Sequence, residues 1–292
     1  MNSGDTMKDR KQHVIDTAHQ LFVEKGFQAT SIQDILDYSS ISKGTFYNYF
    51  SSKNELLMAI FRVIQKKFEH ERNELLIGKD PSDIEVFIKQ MELQVKTNRA
   101  SKLIPLYEEV LFLNDSELKK FISDFQLRML RWVYERFDEI FGESKKPYLL
   151  DAAIMFTAIF HHNLKYERMA NSLKSNPERV VRYSVNRLVA LMKNVGETGE
   201  QLLSPELLDD WSPTCHKKDK SYQEKLTLEI MSLKKESMNM PDSVKYIELL
   251  DFILEELLQP NNQRQFVVES ALASLEGHFG KAKLQQLRSY IK

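Results

Sequence analysis

A single cysteine, Cys215, stands among 292 residues, so no internal disulfide framework can form and the chain suits a reducing compartment. Glycine (9) and proline (8) are too few for the many tight turns of a mainly β fold. The longest apolar stretch, Ala152 to Phe160, falls well short of the roughly 20 residues a helix needs to cross a bilayer. The N-terminus does not resemble a signal peptide. Together these absences predict a soluble cytoplasmic protein with no membrane partner. Neither sign of charge dominates, with 41 basic against 42 acidic side chains and a net charge of −1. Affinity for a polyanion would therefore depend on a local patch, and acidic surface elsewhere would discourage non-specific binding. The sequence carries no glycine-rich phosphate loop, nucleophile elbow or metal-ligand spacing, which argues against an enzyme and predicts no cofactor. His161 and His162 are adjacent, so on a helix they diverge by about 100° and cannot chelate as an i, i+4 pair could. The Cys215-His216 dipeptide has no partners at ligand spacing and reads as incidental.

What the chain does have is helical periodicity almost throughout. Val14, Ile15, Ala18, Leu21 and Phe22 mark a first amphipathic helix ending at Gly26-Phe27. A long helix from Lys53 carries Leu57, Ile60, Phe61, Ile64, Phe68 and Leu75 at steps of three and four, and breaks at Gly78-Lys79-Asp80-Pro81. Further helices are expected over about 82–97, 105–113, 116–141, 148–173 and 177–195. The stretch 196–220 reads as a connector with one short helix near 206–211. Beyond it, apolar stripes over 243–258, 265–278 and 281–291 predict a helical extension that must bury one face against something.

The run Thr30 to Leu56, TSIQDILDYSSISKGTFYNYFSSKNEL, is the most informative segment. Thr30 and Gln33 have capping-box spacing and open a helix through Ile32, Ile35 and Leu36 that stops near Tyr38. Ser39 and Ser40 suit a turn. Ser42 can cap a second helix whose first residues, Lys43, Gly44 and Thr45, are small, polar or basic, an end able to enter a groove. From Ser39 through Asn54 there are two lysines, Lys43 and Lys53, and no acidic residue. Ser52 and Glu55 form another capping box, so the next helix would offer its free N–H groups and Lys53 together as a phosphate seat.

These residues resemble the helix-turn-helix of the TetR family of bacterial regulators, whose pattern reads I-A-x-x-A-G-V-S-x-G-x-x-Y-x-Y-F-x-S-K-x-x-L. Ile35, Ile41, Ser42, Gly44, Thr45, Tyr47, Tyr49, Phe50, Ser52, Lys53 and Leu56 occupy matching positions, and Ala29-Thr30 opens helix two as is common there. Leu36 replaces the usual alanine, and Ser39-Ser40 replaces Ala-Gly. A positive φ at Ser40 would strain that turn.

The resemblance implies an all-α protein. An N-terminal three-helix helix-turn-helix head (1–55) would sit on a helical-bundle body for ligand sensing and dimerisation (56–195), followed by a linker (196–220) and the extra C-terminal helical extension (221–292). By position, Lys43, Gly44, Thr45 and Asn48 would meet base edges or the groove floor, behind the Ser42 cap, while Thr30, Tyr47, Tyr49 and Lys53 would contact phosphates. Lysine can donate to guanine, asparagine can pair with adenine, and the threonine methyl suits thymine. Phe46 and Phe50 read as core. The implied partners are double-stranded DNA, a second copy of the chain through the segments near 148–173 and 177–195, and a small hydrophobic effector. Phe121, Phe125, Met129, Trp132, Met155, Phe156, Phe160 and Tyr166 could line its pocket, with Phe125, Met129, Trp132, Phe156 and Phe160 as the chosen candidates, although aromatic and Met positions at this spacing are more often packed core. Repression by promoter occlusion is the implied default. The alternative is a helical interaction protein that uses DNA as a platform and binds a protein partner through its extension.

Overall fold

The structure, a computed structural model, describes residues 3–113, 115–171, 175–211, 217–238, 242–258 and 264–291. The described residues form helices and no strand. They divide into two compact units, Met1–Ser212 and Pro213–Lys292. Cys215 and His216 lie outside the described residues.

The first unit opens with α1 (Ser3–Lys25), α2 (Ile32–Ser39), α3 (Lys43–Tyr49) and α4 (Lys53–Glu74). α1 stops where Gly26 turns to φ 90°. At seven residues, α3 is far too short to persist alone. It is held because Phe46 and the following Phe50 are buried against Val14, Ala18, Phe22, Ile35 and Leu56. α2 begins one residue later than the sequence suggests. Ser31, not Thr30, is its N-cap, with Ser31 Oγ taking the Asp34 N–H and the Asp34 carboxylate taking the Ser31 N–H. Thr30 has the right chemistry, but its side chain is buried and donates inward to the Gly26 carbonyl at 2.8 Å.

The body follows with α5 (Ile84–Ser101), α6 (Leu103–Phe112), α7 (Ser116–Phe141), a 3₁₀ turn (Glu143–Tyr148), α8 (Leu149–Asn171), α9 (Pro177–Thr198) and α10 (Leu207–Trp211). Side-chain caps start three of these: Asp83 for α5, Asp115 for α7 and Asn176 for α9. Phe87, Met91, Val133, Phe137, Phe156, Phe160, Val181 and Val185 make the body core from α5, α7, α8 and α9. α6 does not join it. Leu103, Leu106 and Val110, together with Leu118 and Ile122 from the start of α7, pack into the core of the head. The hydrophobic head therefore extends well past residue 55, and the joint between α5 and α6 is a single residue, Lys102, at φ 48°.

The second unit holds α11 (Lys217–Ser237), α12 (Ser243–Leu257), α13 (Gln265–Phe279) and α14 (Lys281–Arg288). Leu226, Ile230, Leu250, Ile253, Leu272, Leu275, Leu284 and Leu287 form a core of its own. The division between the units falls inside the expected connector, whose short helix near 206–211 is α10, while α9 runs into its start as far as Thr198 and α11 begins before its end, at Lys217.

Candidate DNA interface and body cleft

The turn between α2 and α3 is closed by the chain itself. Ser40 adopts φ 53°, ψ 40°, the left-handed conformation, and Ile41 donates its N–H back to the Leu36 carbonyl. This is the strain foreseen when serine stands at the glycine position. Ser42 then caps α3, its hydroxyl accepting the Thr45 N–H at 3.1 Å. With Phe46 and Phe50 turned inward, the opposite side of α3 faces solvent: Lys43, Gly44, Tyr47 and Asn48 are exposed, and Thr45 and Tyr49 half-buried. Gly44 keeps that surface low, since a side-chain carbon there would meet only the Ser42 hydroxyl at 3.7 Å. The Tyr47 ring packs edge-on to Phe46 at 5.4 Å and is fixed while its outer part stays exposed. One exposed strip thus offers an ammonium, an amide, a hydroxyl and phenols, a donor-rich set suited to bases and phosphates.

Two of the expected contacts sit differently. The hydroxyl of Thr30 is turned into the protein, so its side chain presents nothing to a duplex. The Lys53 ammonium donates to the carbonyls of Phe27 and Thr30, both at 2.8 Å, with Gln28 O at 3.4 Å, and it lies 4.5 Å over the Phe27 ring. Burial holds its pKa below the usual lysine value, with Glu109 acting in the opposite direction. The α4 cap is also shifted: Ser52 Oγ accepts the Glu55 N–H, but the Glu55 carboxylate takes the N–H of Ser51, not Ser52. On α2, Tyr38 is exposed and lies near Lys25, whose ammonium is 5.1 Å from its ring. In the sequence Tyr38 marks only the end of a helix, yet in the fold it adds a phenol to the exposed face of the motif.

In the body, α5, α7 and α8 enclose an apolar cleft lined by Met91, Gln94, Met129, Val133, Phe156, Thr157, Phe160 and His161, with about 210 Å³ of empty space including open solvent. Three of the five expected ligand residues, Met129, Phe156 and Phe160, are in it. Phe125 instead meets Phe61 (6.5 Å). Trp132 lies under the Arg72 guanidinium at 4.2 Å and packs at a tilt on Phe87 at 5.8 Å. Phe121 belongs to the head core, and Met155 and Tyr166 are exposed on α8. The polar members, Gln94, Thr157 and His161, were missed. Gln94 had a signal: Gln90 and Gln94 lie one turn apart on the α5 face that carries Phe87, Met91 and Val95. Gln94 Nε2 reaches the Met129 sulfur at 3.7 Å, while its buried Oε1 has no partner among the described residues. Among the described residues no group of His, Cys, Asp and Glu could hold a metal ion, and no helix is long and apolar enough to cross a membrane.

Comparison with known proteins agrees with this geometry. Residues 14–60 match the family described as bacterial regulatory proteins, tetR family. The HTH-type transcriptional regulator YerO of Bacillus subtilis strain 168 is 28% identical over 291 residues, covering 98% of this chain and 96% of that protein. YuxN of the same organism, also an HTH-type transcriptional regulator, is 23% identical over 304 residues, covering 98% and 99%. The HTH-type transcriptional repressor NemR of Escherichia coli K12 is 30% identical over 71 residues, 24% of this chain and 36% of that protein. No solved structure matches. With the tetR-family match running from within α1 to the first turns of α4, a donor-rich α3 facing outward and HTH-type regulators similar over nearly its whole length, the chain is a DNA-binding transcriptional regulator whose head is similar to that of the tetR family.

Proposed function

We propose that this regulator works in the cytoplasm as a homodimeric repressor, released from a palindromic operator by a small apolar effector bound in the body. The observation that carries the dimer is α8, which exposes Met155, Ile159, Tyr166 and Met169 at helical spacing on one face, with Tyr183 exposed on the neighbouring α9. A stripe of this kind on a helix that already buries its other face fits a self-complementary two-fold contact. Two copies of α3 on one symmetric body would read half-sites about 34–36 Å apart or a multiple of that. Lys43, Gly44, Thr45 and Asn48 face the bases in this reading, and Tyr47 and Tyr49 the phosphates.

The cleft supports the effector. Its 210 Å³ of empty space includes open solvent, and the enclosed part has room for little more than one water, so a ligand must widen it and thereby favour a different arrangement of α5, α7 and α8. α8 also carries the exposed stripe, and α5 leads through Lys102 into the head-packed α6, so widening acts on both the dimer and the heads.

The test is selection of genomic fragments by the purified full-length protein, with its mass measured in solution. A dimeric mass and a few palindromic sites upstream of genes support the proposal; a monomer, or many dispersed sites, overturns it. Dispersed sites would favour the platform reading, for which Phe266, 84% exposed on α13 with Val267 beside it, is the supporting observation.

A further inference from the structure

The loop between α1 and α2 is gripped from two sides by charged residues distant in sequence. Glu109, in the middle of α6, lies outside the DNA-binding domain. Its carboxylate accepts the N–H of Phe27 at 2.9 Å and of Gln28 at 2.8 Å, one oxygen each. Lys53, at the first residue of α4, takes the carbonyls of Phe27, Gln28 and Thr30. An ammonium has three N–H donors, and these three carbonyls occupy them. A five-residue loop, 26–30, thus has two of its N–H groups bound by an anion and three of its C=O groups bound by a cation, and Ser31, the cap of α2, follows directly. Gly26 suits the φ of 90° that starts the loop, and a Cβ there would stand 3.6 Å from both Glu109 oxygens, an ordinary contact, so it is the backbone conformation and not the carboxylate that calls for glycine. His19 to the Ser101 carbonyl (2.8 Å) and Asn54 to Asp115 (2.7 Å) add two more polar ties between α1 or α4 and the α5–α7 region.

We propose that Glu109 and Lys53 form a clasp that sets the position of the helix-turn-helix, with Glu109 a positioning residue for DNA binding contributed by the body and Lys53 an internal ligand of the loop in place of a phosphate contact. The chemistry favours charged groups here because hydrogen bonds to an ionised partner are shorter and about twice as strong as neutral ones. A loop without its own regular structure would otherwise leave these N–H and C=O groups to water and let α2 shift. The clasp rests on the chain being a DNA-binding regulator, and it gives α6 a direct hold on the reading head.

The test uses full-length protein and a fragment that the wild type has been shown to retain, so that a failure of DNA binding itself is seen first in the wild-type control. Affinity is measured across a salt series for wild type, Glu109→Ala, Glu109→Gln, Lys53→Met and Lys43→Ala, with hydrogen exchange followed over residues 26–31. The clasp predicts that Glu109→Ala weakens binding by about tenfold with an unchanged salt slope, and that exchange at Phe27 and Gln28 accelerates. Glu109→Gln keeps one acceptor and should fall between alanine and wild type, which also covers the case in which the alanine variant does not fold. Lys53→Met should weaken binding with the slope unchanged, whereas Lys43→Ala should lower it by about one if that lysine meets a phosphate and leave it unchanged if it meets a base. Wild-type affinity in both Glu109 variants, or a slope lowered by about one in Lys53→Met, overturns the proposal.

Discussion

Ile41 donates its N–H to the Leu36 carbonyl at 3.2 Å, and within the turn that this bond closes Ser40 is held at φ 53°. The bond spans the end of α2 in the manner of a Schellman closure, and Leu36 and Ile41 both pack on the head core. The geometry is favourable for everything except the Cβ of Ser40. The left-handed region costs a residue with a side chain about 1–2 kcal/mol, part of which glycine would give back as extra freedom in the unfolded chain. Ser40→Gly should therefore raise stability by up to about 1 kcal/mol, read as a higher urea midpoint at constant slope. Ser40→Val should lower it, and a glycine variant no more stable than wild type would show that the turn is unstrained.

The body cleft makes a prediction of opposite sign to the usual core mutation. Among the described residues the buried Oε1 of Gln94 has no partner, and its Nε2 donates to the Met129 sulfur, a weak acceptor. Gln94→Met keeps the length of the side chain and removes the orphan acceptor, so it should stabilise the protein by about 1–3 kcal/mol. The same change should weaken any effector that donates a hydrogen bond in the cleft while sparing purely apolar ones. A destabilised Gln94→Met variant would mean that the carbonyl is satisfied by ordered water.

How much of this was legible beforehand depended on the range of the determining interaction. Periodicity and turn residues act locally, and the expected 116–141 helix is α7, Ser116–Phe141. Ser42 is the cap of α3 as its spacing implied, and Ser40 has the positive φ that its place in the pattern demanded. α11 was not resolved as a separate helix because Leu226, Ile230 and Leu233 form a narrow stripe among lysines and glutamates. Thr30-Gln33 and Ser31-Asp34 both fit a capping box, and only the burial of Thr30 chooses between them. The carbonyl partners of Lys53 were not readable for the same reason at longer range: they lie 23 to 26 residues back, Glu109 lies further along the chain, and no local pattern encodes those distances. In the cleft, aromatic spacing found Phe156 and Phe160 but could not separate Met129, which lines it, from Phe125, which packs on Phe61.

The α2 cap gives a pH dependence. Hydrogen bonds from the Ser31 hydroxyl and N–H, with help from Lys25 at 3.1 Å, hold the Asp34 carboxyl at about 2 against an ordinary 3.8. Because the folded pKa is the lower one, the carboxylate stabilises the fold fully above about pH 4 and this contribution disappears as pH falls towards 2. Asp34→Asn should be less stable than wild type at neutral pH, and the difference should shrink across that acid window. A gap between the two unfolding curves that stays constant down to pH 2 would rule out the charged cap as its source.

The exposed side of α3 divides its residues by what they can recognise. Lys43 stands at the first turn, exposed and beside Gly44, where a long cation can reach a guanine edge, whereas Tyr47 is braced against Phe46 one turn later with only its outer part free. Loss of a base contact costs about 1–3 kcal/mol on the matching sequence alone, and loss of a phosphate contact weakens all sequences alike. Lys43→Ala should accordingly change the preferred base at one position of the selected site. Tyr47→Phe, which removes only the hydroxyl, should lower affinity for every fragment by a similar factor with the preference kept. Since a phenol is uncharged, the salt slope of Tyr47→Phe should stay at the wild-type value. Selection from a randomised site with each variant reads both outcomes, and an unaltered site preference in Lys43→Ala would remove that lysine from the base-reading set.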